Sequence, residues 1–293
     1  MLLSYTVKDN DKFENLHQII KEKFYVSDRL LLKLKNSKMI FLNGIPTFVK
    51  HAVLPNDVIT LKIDFQEDNS NVIPTKMKLD IIYEDEYYIV VNKAPNMPIH
   101  PSMDNYSNTL SNGIRYYYDL IGLKKKIRPV NRLDKDTSGI VIFAKNEYIQ
   151  ECLVKQMKNK TFIKQYIAIC NGTFTEQIGT INERIDRKPG SIIERCISDS
   201  GDVAITHYLI IKNLNGNLSE VLCTLETGRT HQIRVHLSHI GHPIIGDTLY
   251  GTASKLINRQ ALHSYRTCFI HPITKINVEY IAPIHDDMNL IIK

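Results

Sequence analysis

Nothing in the 293 residues is long and apolar enough to span a bilayer, which takes a run of ~18–20 residues. The opening segment, MLLSYTVKDNDKFENL, turns acidic early and holds no small-residue cleavage signal. We therefore expect the start of a cytoplasmic domain there and no secretory leader. No CxxC pair occurs, so neither a zinc ribbon nor a thioredoxin-like redox site is expected. The five cysteines (Cys152, Cys170, Cys196, Cys223 and Cys268) are dispersed and odd in number. Most sit among apolar neighbours, as small core residues do in a reducing compartment. His231, His236, His239 and His242 invite a metal reading. Their spacing lacks the i, i+4 pair of a helical metal site, so no metal is expected. The chain also has no Gly-rich phosphate loop, internal repeat or low-complexity tract.

What is present is an ordinary globular composition, 43% hydrophobic and 23% charged, in a chain longer than one usual domain. Two domains are expected. The net charge of +6 suits a polyanionic partner, although many enzymes are this basic.

In the first unit, Phe13, Leu16, Ile19 and Ile20 recur at helical spacing. Ser27 is a candidate N-cap for a second helix carrying Leu30, Leu31 and Leu34 inward and Arg29, Lys33 and Lys35 elsewhere. Ile40–Leu42 reads as a strand, Asn43-Gly44 as a hairpin turn, and Val58–Ile63 as an alternating strand after the turn Pro55-Asn56-Asp57. This order resembles the small S-four-type RNA-binding domain. Ser27, Arg29, Asn43, Gly44, Asp57 and Ile59 fit its motif positions, while Met39-Ile40-Phe41-Leu42 replaces the usual valines. The resemblance implies RNA contacts from Arg29 and Lys33. Without it, the unit is a small αβ domain with a solvated basic helix face. We set its limits at residues 1–65. A polar linker with Pro74 follows at 66–77, and the second domain spans 78–293.

The second unit opens with strands at Leu79–Tyr83 and Tyr88–Asn92 and a helix over 106–120. Lys124, Lys125, Lys126 and Arg128 form the densest basic run. Such a run is usually a solvated loop, with phosphate contact as the functional reading. A helix over 147–160, a strand Lys164–Phe174, short strands in 176–202, and strands His207–Lys212 and Glu220–Leu225 follow. Thr230 is the expected N-cap of a helix His231–Ile240, ended by Gly241. Strands Thr267–Ile270 and Ile276–Ile281 close the chain.

The chemistry concentrates in residues 131–139, NRLDKDTSG, just before the apolar run Ile140–Ala144. In an extended segment Arg132, Asp134 and Asp136 share a face. Asp136 reads as a turn former rather than a second acid. A carboxylate entering the core needs a partner. Arg234, one turn after Thr230, is positioned to supply it as a bidentate guanidinium. An ionised, positioned Asp134 is then a nucleophile or a base. Tyr166 lies on a strand and offers a ring on which a base could stack.

These segments resemble the RluA family of RNA pseudouridine synthases. The family's ordered motifs match NRLDKDTSG, Lys164-Gln165-Tyr166, Gly228 through His236, Gly241 through Asp247 with Tyr250, and Leu262-His263. The match runs over roughly 79–283. It implies an α+β fold, a mixed and mostly antiparallel sheet with flanking helices and a central cleft. It also implies the reaction: a flipped-out uridine is detached from its ribose and rejoined through C5. Asp134 would add at C1′ or promote loss of the C2′ proton. Tyr166 would stack on the base, Arg234 would pair with Asp134, and Arg132 would fill the gap left by the base. Arg229 and His231 would shape the pocket wall, bordered by Leu262 and His263. No cofactor is needed. One departure is Asn131, where the family usually has histidine; it cannot carry charge and should alter loop bracing. The expected substrate is structured RNA, ribosomal or transfer, acted on by a monomer. Two rivals stand: a non-catalytic RNA-binding or ribosome-assembly factor, and a hydrolase releasing free uracil.

Overall fold

The computed structural model describes residues 1–103 and 105–293. The N-terminal unit consists of β1 (Leu2–Thr6), α1 (Leu16–Lys23), α2 (Asp28–Asn36), β2 (Ile40–Leu42), β3 (Ile45–Pro46) and β4 (Val58–Lys62). Its antiparallel sheet has the order β1-β4-β2-β3. Strand β1 is not among the elements read from the sequence, although its alternation is clear: Leu3 and Tyr5 turn inward while Leu2, Ser4 and Thr6 are exposed. Helix α1 starts at Leu16 rather than Phe13, because Asn15 caps it by accepting from Gln18 N. Ser27 caps α2 through Leu30 N. The two turns after α2 bind each other. Asn43 donates to Asp57 Oδ1 at 2.8 Å and accepts from Val58 N at 2.8 Å.

This unit is docked on the rest of the chain. Its buried residues, among them Ile19, Leu30 and Ile59, form one cluster with Tyr88, Ile142 and Ile149. Ser27 Oγ donates to Glu151 at 2.5 Å, and Lys33 Nζ reaches Glu147 at 2.7 Å and Glu67 at 3.3 Å. Lys33 was expected to face RNA. It turns inward instead, toward two carboxylates and the face of Phe65, 3.9 Å from the ring centre.

Residues 66–77 form no helix or strand, yet they are stitched down. Glu67 accepts both terminal nitrogens of Arg128, at 2.6 and 2.7 Å. Burial would raise the Glu67 pKa, but Arg128 outweighs it and holds the carboxyl down at about 2. Buried Asn69 accepts from Ile127 N at 3.1 Å and donates to the Lys125 carbonyl. The basic run is therefore only partly the solvated loop we expected. Arg128 is buried, and Lys125 Nζ donates to the Phe65 carbonyl at 2.8 Å. A guanidinium fork matched to a carboxylate is committed to it. Lys124 and Lys126 stay exposed.

The larger unit runs β5 (Ile81–Glu84), β6 (Tyr88–Lys93), α3 (Leu110–Leu120), β7 (Ser138–Ala144), α4 (Glu147–Lys158) and β8 (Ile163–Asn171). It continues with β9 (Ile178–Asn182), β10 (Ile185–Arg187), β11 (Arg195–Ile197), β12 (Ile205–Leu214), β13 (Leu218–Leu225) and α5 (Gln232–His239). It ends with β14 (Leu262–Ile270), β15 (Asn277–Ile281) and α6 (Asp286–Ile292). Nine strands form one sheet in the order β5-β6-β7-β14-β8-β13-β12-β9, with β15 also on β14. Its pairings are antiparallel except β7 with β14. This is the mixed, mostly antiparallel α+β architecture.

Strand β7 is buried along its whole length, as a continuous apolar run at a sheet centre should be. Gly139 joins it to β14. Its φ is +106°, and a Cβ there would lie 2.2 Å from the Ser264 carbonyl oxygen, so the parallel junction requires glycine. Helix α5 packs on β11 and β12, and its start reaches the loop ahead of β7, where Arg234 bonds Asp134. The sheet thus carries a loop at 131–137 to the mouth of a cleft.

Candidate active site

A cleft of about 630 Å³ opens where the 131–137 loop, β8 and the start of α5 converge. Arg132, Asp134, Tyr166, Arg229, His231, Arg234 and Leu262 all line it. Residues far apart in the chain therefore meet here. The loop itself is not extended as we had argued. Strand β7 begins only at Ser138, and Thr137 N closes a turn on the Asp134 carbonyl at 3.2 Å. A turn, not strand alternation, aims Asp134.

Arg234 does reach Asp134, with a different geometry from the one expected. Its Nη1 donates to Asp134 Oδ2 at 3.0 Å. The bidentate pair is made with Asp247 instead, Nε at 2.7 Å and Nη2 at 2.9 Å. Asp247 is 1% exposed and also accepts from Leu249 N and Tyr250 N. Two fixed bonds lock the guanidinium plane and leave one nitrogen for Asp134. Burial opposes the Arg234 charge, but Asp247 and then Asp134 more than offset it, so its pKa is raised. Tyr250 adds its ring, 5.0 Å from the guanidinium carbon. Sequence reasoning held Asp247 within a motif match and gave it no role; a carboxylate beside the apolar Ile244-Ile245 was the signal for more.

Beside this pair, α5 begins after His231, not Thr230. His231 holds φ +58° and caps with no side-chain bond. A left-handed non-glycine residue at a cleft is a mark of constraint. Its Nε2 stands 3.8 Å from Asp134 Oδ2, and its Nδ1 bonds the Tyr250 hydroxyl at 2.8 Å. Burial lowers its pKa, against the pull of Asp134. Tyr166 is buried, and desolvation pushes its phenol up to about 12, so the hydroxyl is protonated at neutral pH.

A family model described as RNA pseudouridylate synthase matches residues 87–239. The chain is 39% identical over 269 residues to the uncharacterized RNA pseudouridine synthase YjbO of Bacillus subtilis, covering 92% of this chain and 95% of that one. It is 32% identical over 302 residues to the ribosomal large subunit pseudouridine synthase D of Escherichia coli K12, covering 98% and 92%. Among solved structures, human RNA pseudouridylate synthase domain containing 1 superposes with a TM-score of 0.59 at 28% identity, over 70% of this chain and 83% of that one. The chain belongs to the RNA pseudouridine synthases of the RluA family.

The rear of this synthase's cleft is held by Lys93 and Arg259, to which the motifs gave no role, together with Asn131. Lys93 is 1% exposed, and its Nζ donates to the carbonyls of Ala94, Met97 and Lys135 at 2.8, 2.9 and 2.8 Å. Burial pushes its pKa down to about 7, while three carbonyls match the three N–H of the ammonium. Arg259 pairs in a fork with Asp287 and donates to the Asp136 carbonyl at 3.0 Å. Asn131 completes the clamp. Its Nδ2 donates to the Ile140 carbonyl and its Oδ1 accepts from Ile142 N, both at 2.9 Å. The amide acts as an extra peptide unit beside β7, which accounts for a neutral residue there.

His263 does not border the cleft. It is fully buried on the opposite face of β14 from Leu262, as strand alternation requires. It bonds Ser138 Oγ at 2.9 Å and the Ala282 carbonyl at 3.3 Å, and burial pushes its pKa down to about 4. The other clustered histidines diverge too. His236 bonds Thr206, and His242 stacks on Phe174 at 3.8 Å. Arg229 is exposed and pairs with Asp202 at 2.9 Å. Arg29 lies on the exposed side of α2, away from the cleft lining.

Proposed function

We propose that this synthase converts uridines of structured RNA, in the large ribosomal subunit, to pseudouridine with Asp134 as the acting carboxylate. The observation that carries the reading is the state of Asp134. It is fixed through one oxygen, Oδ2, by an arginine already locked on Asp247, and it lines an open cleft. Among the described residues, no protein donor bonds its other oxygen, Oδ1. A carboxylate held this way is ready for a ribose, either to add at C1′ or to take the C2′ proton. Tyr166, protonated at neutral pH, offers its ring to the flipped base. Arg132, exposed at the mouth, takes the vacated place in the RNA stack. Flipping costs a few kcal/mol and least from a loop, which favours unpaired uridines.

The N-terminal unit, residues 1–65, serves as an S-four-type RNA-binding appendage to a catalytic unit over 78–293. In support, Ser27 caps α2, Arg29 is exposed, and Asn43 and Asp57 bind each other in the motif turns. The five free cysteines suit the cytoplasm. The ribosomal assignment draws on the relatives named for the large subunit. Its test is to map pseudouridines across ribosomal and transfer RNA with and without this protein. Loss of one or a few large-subunit sites is expected; loss confined to transfer RNA would overturn the assignment.

A further inference from the structure

Of the six lysines and arginines that line the cleft, three are already committed. Arg234 is held by Asp247, Arg229 by Asp202, and Lys160 by Glu226. Arg132 and Lys158 also line the cleft and are exposed to solvent; Lys164 is different. It lines the same cleft, is half-buried, and among the described residues no acceptor lies within hydrogen-bond reach of its Nζ. It stands two residues before Tyr166 on β8, so the two side chains share a face. Gln165 between them points the other way, to Thr224 and Arg266. Lys164 and Tyr166 are about 7 Å apart along the strand, the scale of a single nucleotide. Gly228 keeps the space beside the ammonium open: a Cβ there would stand 3.2 Å from Nζ.

Water is partly stripped from this ammonium without a protein partner in return. Desolvation accordingly lowers its pKa. A cation kept in that condition costs stability unless a ligand completes it. Its position toward the start of β8, outward of Tyr166, meets the backbone of an RNA whose base lies on that ring.

Resting on the function proposed above, we propose that Lys164 binds a phosphate of the RNA at, or next to, the flipped uridine. It is thus a phosphate-binding residue that seats the target nucleotide, distinct from Arg132 at the rim and from Arg234 on Asp134.

The test uses the full chain. Binding is measured on a synthetic RNA stem–loop with one loop uridine, and activity by tritium release from C5-tritiated large-subunit ribosomal RNA. Lys164→Gln should weaken stem–loop binding by roughly tenfold. It should also flatten the slope of log affinity against log salt by about 0.7–0.9, which Lys164→Arg should restore. Its melting temperature should equal or exceed that of the wild type, since no native bond is lost. Replacing the loop phosphates one at a time by neutral methylphosphonate should find one position that costs the wild type affinity and costs Lys164→Gln none. An unchanged salt slope in Lys164→Gln overturns the assignment. So does slower turnover with binding and slope intact, which would put the ammonium on the uracil carbonyls. If the wild type releases no tritium, the proposed function fails, while the slope and the phosphate scan still judge the phosphate contact.

Discussion

The two sides of the 131–139 stretch are built in opposite ways. Behind it, nearly every polar group is spent. Lys93 holds the Lys135 carbonyl, Arg259 holds the Asp136 carbonyl, Asn131 is bonded to β7, and Arg234 is forked on Asp247. In front, Arg132 is exposed and Lys164 is unpartnered among the described residues. The same contrast separates two arginines four positions apart: Arg128 is buried on Glu67, while Arg132 faces the mouth. Charges committed to the protein give position, and charges left open are available to a polyanion. Basic character in the sequence does not say which is which.

Breaking the rear clamp should have the largest effect on stability. Asp247→Ala strands a buried guanidinium and should cost about 3–5 kcal/mol by urea unfolding. Activity should fall as well, because nothing then orients Arg234 toward Asp134. A change under ~1 kcal/mol would refute the idea that Asp247 fixes this arginine.

His263 makes the rear pH-sensitive. Its unfolded pKa is near 6.5 and its folded pKa is about 4, so the unfolded chain binds the extra proton in that window. The contribution of the neutral ring is complete above pH 6.5 and is lost as pH falls toward 4. Between pH 7 and 4 the wild type should lose about 3 kcal/mol more than His263→Gln. Parallel pH profiles for the two would contradict the buried neutral ring.

The two arginines sharpen the comparison at smaller cost. Arg128→Gln should lower stability by about 1–3 kcal/mol and leave the salt slope of RNA affinity unchanged. Arg132→Gln should leave stability unchanged and flatten that slope by about 0.7–0.9. The reverse pattern would dissolve the distinction between the two sides.

Much of the fold was legible because apolar periodicity and turn residues are local signals. Strand β7, helices α2 and α4, and the Gly241 stop lie close to where spacing put them. Strand β1 and helix α6 were missed; both are short elements at the chain ends, and their stability comes from docking. In the site, the residue types were legible and the pairings only partly so. The motifs brought Asp134, Tyr166 and Arg234 together, yet the fork of Arg234 goes to Asp247. Spacing names candidates, but a side chain's partner depends on which acceptor the tertiary fold leaves deepest. Lys93 shows this most clearly. A lysine after an apolar strand looks solvated until three loop carbonyls fold over it.

The central claim is that Asp134, held from behind and open in front, acts on a uridine of RNA. Tritium release from C5-tritiated ribosomal RNA tests it, with wild type and Asp134→Asn compared at matched RNA occupancy. The account predicts release by the wild type and a loss of at least ~10³-fold in the variant. RNA affinity should be retained in the variant, and its fold kept by the Arg234–Asp247 pair. Release by Asp134→Asn at the wild-type rate would contradict it.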